Sequence, residues 1–403
     1  MKKFINKLGP GLLFAGAAIG VSHLVQSTKA GAEFGFGLTW VLILCNFFKY
    51  PFFLFGTKYT YATGETMLDG YLKISKSILL IYFGLSLVTI FTIQAAVTIV
   101  TAGLAIELFG ITDNITYWAF MIIVFSYLIL MIGKYKLLDN LMKFIIMILA
   151  ISTFIALVSS SLNNEIIFDF DQIIPKNSEG IIFLAAFMGW MPAPLDISIW
   201  QSIWTNEKIK IEKKSNYNTA KFDFNVGYII TIFLGLSFLG LGAYVMYGSG
   251  DKFSESGAVF ASQLINLYTS NLGKGMMIFI AIAAFTTMFS TTITCLDASP
   301  RAMSKTVDLL KFKRFNDYNS WITILAIGTI IIFVFFMSEM GTLVKIATVL
   351  SFLTAPFYAI INYILMSSSF IPKKYKLSKW MNIYCISGII FLLFFSIWYI
   401  TLI

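Results

Sequence analysis

The sequence predicts an all-α polytopic membrane protein with about eleven transmembrane helices. Hydrophobic residues make up 58% of the 403 residues and charged residues only 12%, whereas soluble globular chains carry about 25% charged residues. The apolar segments are about 20 residues long, the length that a helix needs to cross a hydrocarbon core of about 30 Å. These observations exclude a soluble enzyme, a secreted disulfide scaffold, a disordered chain and an outer-membrane barrel with short alternating strands.

Each apolar segment that satisfies this length rule is taken as one span. We expect the spans at residues 9–32, 36–60, 78–106, 115–133, 140–161, 180–204, 225–248, 273–296, 321–337, 342–366 and 382–402. The longest predicted connections are 162–179, 205–224 and 297–320. The whole chain, 1–403, then forms a single transmembrane domain.

The basic residues indicate how the spans are oriented. The net charge is +9, and 23 of the 29 Lys and Arg residues fall on the side of the membrane that holds the N-terminus. Because cytoplasmic loops are enriched in Lys and Arg, we expect a cytoplasmic N-terminus and an external C-terminus, in a bacterial inner membrane. The same distribution makes the lipid bilayer, and not nucleic acid, the expected partner. The oligomeric state stays open.

Two spans are interrupted by residues that a lipid-facing helix does not use. The first span carries Gly20, Ser22 and His23 near its middle, and the sixth carries Pro192 and Pro194. Two prolines so close together remove backbone donors, so we expect residues 19–23 and 191–194 to be non-helical and to face each other. Unwound backbone at this depth is tolerated only where protein or a cavity surrounds it.

The interrupted spans are the first and the sixth, so five helices separate equivalent positions. Because five is odd, the second set of five enters the membrane with the opposite topology. Paired broken helices in inverted repeats are typical of secondary transporters, with the binding site between the breaks. We therefore expect a first repeat at 9–161, an inverted second repeat at 180–366 and an additional helix at 382–402.

Several short motifs resemble one family of transporters. They are Gly9-Pro10-Gly11, Ala30-Gly31-Ala32 with Gly35 and Trp40, Thr63-Gly64-Glu65, and Met191-Pro192. Together they resemble the Nramp (natural resistance-associated macrophage protein) divalent metal transporters. The resemblance implies the LeuT-like 5+5 fold, a transported Mn²⁺ or Fe²⁺ ion and coupling to protons, with no resident cofactor.

The sequence departs from the family pattern at residues that carry the family's chemistry. The Asp-Pro-Gly-Asn motif of the first helix falls on residues 20–23, so Gly20 replaces the metal-ligating acid and His23 replaces the Asn. Met191 is retained, whereas Ala193 and Ile199 stand where the family has histidines. These departures put both the metal and the proton coupling in question.

The candidate binding residues lie at the two breaks. We expect a substrate site formed by Gly20, Ser22, His23, Trp190, Met191, Ala193 and Asp196. The candidate metal ligands are His23, Met191 and Asp196, which offer an imidazole, a thioether and a carboxylate. Each has an alternative: His23 bonds to freed backbone groups, Met191 packs in the core, and Asp196 caps the second half-helix.

Three further ionisable residues are candidates for coupling or gating. Lys49 is central in the second span, where it pairs with an acid or acts as a fixed ammonium in place of a coupling ion. Asp297 and Arg301 are one turn apart at the inner end of the eighth span. They form either a structural anchor or an inner gate.

The sequence therefore favours a secondary-active transporter and no enzyme. No metalloprotease, P-loop or nucleophile-elbow motif is present in the sequence. The first hypothesis is an Nramp-like importer of Mn²⁺, Fe²⁺ or a related ion. The alternative is a transporter of a small organic solute, such as an amino or carboxylic acid, for which Gly20 and Ala193 make room.

Overall fold

A computed structural model describes residues 8–163, 171–212, 216–248, 259–265, 277–312, 314–336 and 340–402. The helices that form it are α1 (Pro10–Ala18), α2 (Thr28–Phe34), α3 (Thr39–Thr63), α4 (Met67–Ile74), α5 (Lys76–Phe109), α6 (Ile115–Asn163), α7 (Ser178–Trp190), α8 (Ile197–Ile211), α9 (Tyr217–Met246), α10 (Met277–Leu309), α11 (Tyr318–Phe335), α12 (Met340–Ser367) and α13 (Lys379–Leu402). A π-helical segment, Val21–Ser27, lies between α1 and α2. Within the described residues the architecture is all-α, as predicted.

The membrane spans agree with the predicted fold class. Ten helical stretches in the described part of the chain are long and apolar enough to cross a membrane. The sixth span adds a shorter apolar helix, α7, because it is broken before α8. The first and sixth spans are both interrupted, which confirms the prediction from Gly20, Pro192 and Pro194.

Three predicted connections are shorter than expected or helical. Residues 134–139 lie inside α6, which holds two span-length stretches, Ile115–Gly133 and Tyr135–Leu162. Helix α10 continues through Pro300 to Leu309, so much of the predicted connection 297–320 is helical. The predicted connection 205–224 narrows to residues 212–216, because α8 and α9 extend into it.

The bundle is layered from a buried centre to an apolar surface. The apolar window of Pro10–Phe34 is 94% buried and that of Ala281–Leu309 is 83% buried, whereas Ile115–Gly133 is 28% buried. The outer helices present side chains such as Ile132 and Phe335, which are 82% and 72% exposed. Such a surface suits lipid. The first and eighth spans are instead buried by their neighbours, so they form the centre of the bundle.

Helix α9 crosses the first span at contacts that admit only glycine. A Cβ on Gly11 would overlap the backbone carbonyl of Asp223, and a Cβ on Gly227 would overlap the carbonyl of Gly11. Farther along, Gly242 lies against the carbonyl of Thr28 in the same way. Small residues of this kind let two membrane helices approach closely.

We expect Gly227→Ala to lower the free energy of unfolding by about 1–3 kcal/mol, because backbone must move to admit the new methyl group. Gly84→Ala is the matched control, since nothing lies within 4 Å of its added Cβ. Helix propensity alone favours alanine there by up to about 1 kcal/mol. Unfolding of the two variants in detergent measures the difference. Equal stabilities would contradict the close packing of α9 on α1.

Candidate functional site

The break in the first span is short and is supported by α10. Helix α1 ends at Ala18, Ile19 and Gly20 are not helical, and the π-helical segment starts at Val21. The expected non-helical stretch 19–23 is therefore limited to its first two residues. The hydroxyl of Thr291 donates toward the freed carbonyls of Gly16, at 2.9 Å, and Ile19, at 3.1 Å.

The position of Thr291 contradicts the expectation that Gly20 makes room for an organic solute. A Cβ on Gly20 would overlap the side chain of Thr291, so the glycine admits that threonine and does not leave room for a solute. Ala193 is fully buried, and its carbonyl faces Lys49. Space for cargo must therefore come from other parts of the two breaks.

The break in the sixth span lies between α7 and α8. Helix α7 ends at Trp190 and α8 begins at Ile197, so residues 191–194 are non-helical as predicted. The ammonium group of Lys49 donates to the carbonyls of Met188, at 2.7 Å, and Gly189, at 2.9 Å. Among the described residues, no Asp or Glu side chain forms an ion pair with Lys49. The predicted alternative in which Lys49 pairs with an acid is therefore wrong.

A small cavity of about 30 Å³ lies between the two breaks. Three of the predicted binding residues, Ser22, Trp190 and Asp196, line it, with α5 and α10 closing its sides. The remaining lining residues are mainly apolar: Ala17, Ala18, Val21, Ile93, Val97, Pro194, Ile197, Trp200, Thr291 and Cys295. This cavity brings together the two interrupted spans that the sequence singles out.

Asp196 is the carboxylate of this cavity. It also lines a second, smaller cavity of about 10 Å³, together with Thr89 and Ser351. Asp196 stands at the N-cap position of α8 but makes no side-chain capping hydrogen bond. No described Lys, Arg or His forms an ion pair with it. An acid placed this way offers its charge to whatever enters the cavity.

His23 and Met191 have other surroundings. His23 is fully buried, and its Nε2 lies 3.0 Å from the carbonyl of Thr231 on α9. Because a carbonyl only accepts, Nε2 carries a proton there, while Nδ1 lies 2.7 Å from the hydroxyl of Ser22. Met191 is fully buried among apolar residues such as Phe187. Neither residue lines the cavity between the two breaks.

The three predicted metal ligands therefore do not lie around one common cavity. The part of the chain that the structure describes contains no group of three or more His, Cys, Asp or Glu side chains that could hold a metal ion. His23 matches the alternative in which it bonds to backbone, although that backbone belongs to α9. Metal ligation by His23, Met191 and Asp196 stays a prediction.

Asp297 and Arg301 form a buried network away from the cavity. Arg301 donates to Asp297 from Nε, at 2.8 and 2.9 Å, and from Nη2, at 2.8 Å. Asp297 also accepts from Trp204 on α8, at 3.2 Å, and from Tyr318 on α11, at 3.1 Å. The Arg301 guanidinium stacks over the Tyr318 ring at 4.7 Å. One carboxylate therefore joins three helices.

Sequence reasoning missed a second buried acid. The two carboxylate oxygens of Asp223 accept from the backbone amides of Gly9 and Gly11, both at 2.9 Å. Lys208 donates to the neighbouring carbonyl of Leu8 at 2.9 Å. The free amides at the start of α1 were the available signal, since a buried helix N-terminus must find an acceptor.

The chain matches one known protein family along nearly its whole length. The model of the family described as "Natural resistance-associated macrophage protein-like" (Nramp) matches residues 11–402. Uncharacterized protein PM0681 of Pasteurella multocida (strain Pm70) is 37% identical over 401 residues, covering 98% of this chain and 92% of that protein.

Solved structures show the same fold at low identity. The Eremococcus coleocola manganese transporter, in complex with an aromatic bis-isothiourea substituted compound, is similar with a TM-score of 0.75 and 14% identity, covering 98% of this chain and 86% of that one. Mhp1, a nucleobase-cation-symport-1 family transporter, is similar with a TM-score of 0.57 and 13% identity, covering 98% and 92%. By the family match over nearly its whole length, this chain belongs to the Nramp family of membrane transporters.

Proposed function

We propose that this protein is a secondary transporter that works by alternating access, with its cargo bound between the breaks of the first and sixth spans. The observation that carries the proposal is the cavity that both breaks line, with Asp196 facing it. The distribution of Lys and Arg supports a cytoplasmic N-terminus in an inner membrane. The cytoplasmic end is then the one where α1 begins, near Asp223.

A small cation is the cargo that this cavity favours. Asp196 is half-buried and brings a negative charge that no described cation neutralises, and a charge partly removed from water favours a partner. Mn²⁺ or Fe²⁺ is the first candidate, because the chain belongs to the Nramp family and a structural neighbour is named a manganese transporter. Asp196 would supply a charged oxygen ligand and Ser22 a hydroxyl. His23 would ligate only if it gave up a present hydrogen bond.

An organic solute with an ammonium group is the second candidate. The walls of the cavity favour it, since Trp190, Trp200 and Val97 provide apolar and aromatic surface around a single carboxylate. An indole face attracts an organic cation, whereas a hard divalent ion prefers several charged oxygen ligands. The cavity, of about 30 Å³, has room only for the ammonium end of such a solute, so an amino acid would bind with the two breaks moved farther apart.

Uptake into proteoliposomes distinguishes the two candidates. Purified protein is assayed side by side with Mn²⁺, Fe²⁺ and a panel of amino acids, each with and without a proton gradient. A metal cargo predicts saturable Mn²⁺ or Fe²⁺ uptake that His23→Ala or Met191→Ala weakens. An organic cargo predicts amino acid uptake that neither substitution changes. No uptake of any member of either panel would contradict the proposal.

We expect Asp196→Asn to reduce uptake of the cationic cargo by about 10- to 100-fold, the loss typical of a hydrogen-bonding partner that carries charge. Thermal unfolding in detergent should stay close to wild type, because no described ion pair is broken. Asp308→Asn, at an exposed aspartate of α10, is the matched control and should leave uptake unchanged. Full uptake by Asp196→Asn would remove Asp196 from the cargo site.

A further inference from the structure

Lys49 is a fully buried cation in the middle of the bundle. It lies on α3, and none of its side chain reaches the surface. Its Nζ donates to the carbonyls of Met188 and Gly189, at 2.7 and 2.9 Å, and lies 3.5 Å from that of Ala193. The ammonium group has three donors, so these three carbonyls match its bonding capacity.

The break itself produces these acceptors. In an uninterrupted helix, the carbonyl of Met188 would accept from the amide of residue 192, and Pro192 has no amide hydrogen. Gly189 stands in the last turn of α7, so its carbonyl is also beyond the regular helical hydrogen bonds. The C-terminal end of a helix carries a partial negative charge. Pro192 therefore creates a cluster of partially negative oxygens that attracts a cation.

Half-helix ends and unwound carbonyls of this kind bind mobile cations in broken-helix transporters. We infer that the break of the sixth span is a cation site that the chain fills permanently with Lys49, and that a small alkylammonium or alkali-metal ion binds there when Lys49 is shortened. What this site means for transport rests on the proposed function. The carbonyls around Nζ are then closed to cargo and coupling ions.

Binding to Lys49→Ala tests the inference. The alanine leaves the carbonyls and vacates the path of the lysine stem, so methylammonium and n-butylammonium, Na⁺ and K⁺ are titrated against purified protein in detergent. We expect at least one of these ions to raise the midpoint of thermal unfolding, with saturation, by about 5 °C at 100-fold above its Kd. The same titration is made in the Asp196→Asn background, where the carboxylate of the proposed cargo site is absent. In that background the protein with Lys49 intact should show no such saturable shift.

Three controls separate a cation site from a general salt effect. Tetramethylammonium carries the same charge without an N–H donor and is too bulky for the carbonyl cluster, so it should have no effect on Lys49→Ala. Lys208→Ala removes another buried lysine, one that meets the single carbonyl of Leu8, and should gain no saturable response. Lys49→Met fills the path with apolar atoms and should not respond.

The outcomes are decisive in either direction. A shift seen with tetramethylammonium, or equally in Lys208→Ala, or no shift with any ion, would overturn the inference and leave Lys49 as a helix cap alone. If Lys49→Ala cannot be purified without ligand, purification that succeeds only with one of the four test ions supports the inference, and failure with all of them overturns it. Cargo uptake and Asp196→Asn test the proposed function separately, because cation binding at position 49 requires no transport.

Discussion

Replacing Asp297 with alanine is expected to lower the free energy of unfolding by about 3–5 kcal/mol, the cost of removing one partner from a buried ion pair. Asp297 is fully buried, and Arg301 is 15% exposed. The substitution leaves the guanidinium without its carboxylate. It also leaves the indole N–H of Trp204 and the hydroxyl of Tyr318 without their acceptor. The charge of Arg301 accounts for most of the expected loss.

A double variant checks this physical reason. Asp297→Leu combined with Arg301→Met removes both charges and keeps apolar volume, so it should recover much of the stability that Asp297→Ala loses. Asp297→Asn keeps an acceptor for Trp204 or Tyr318 and should fall between wild type and alanine. Unfolding in detergent gives the series. A double variant as unstable as Asp297→Ala would show that packing, and not charge, dominates this position.

The breaks illustrate how far sequence alone defines the fold. Pro192 and Pro194 cannot continue a helix, so the interruption of the sixth span follows from local chemistry. The eighth span is predicted to end at residue 296, whereas α10 continues through Pro300 to Leu309. Asp297 lowered the apparent hydropathy of that stretch, yet its charge is balanced by Arg301 and its oxygens are satisfied by other helices. A hydropathy rule has no access to such tertiary compensation.

In the candidate site, too, local chemistry could be predicted from the sequence, whereas contacts between distant spans could not. Sequence reasoning identified Ser22, Trp190 and Asp196 because they lie beside the breaks, and all three line the cavity. It could not assign His23 its partner, because Thr231 is about two hundred residues away along the chain. Nor could it predict that Lys49 meets the carbonyls of α7, since an isolated lysine in a span fits an acid partner equally well. Proximity between spans decides both cases.

Replacing Asp223 with alanine is also expected to lower the free energy of unfolding strongly. Asp223→Ala removes the acceptors of the Gly9 and Gly11 amides, both of which are buried. Each buried amide left without a partner costs about 1–3 kcal/mol, so we expect a loss of about 2–6 kcal/mol in the free energy of unfolding. Asp223→Asn keeps one carboxamide oxygen and should lose about half as much.

Asp317→Ala is the matched control for this prediction. Asp317 caps α11 by accepting from the amide of Ser320 at 2.8 Å, but it is exposed to solvent. Water replaces the lost acceptor there, so the expected cost is only about 0.5–2 kcal/mol. Hydrogen exchange adds a local readout: amides in residues 9–13 should exchange faster in Asp223→Ala, because Asp223 no longer holds the start of α1. Unchanged exchange there, with equal stability losses in Asp223→Ala and Asp317→Ala, would contradict the role assigned to Asp223.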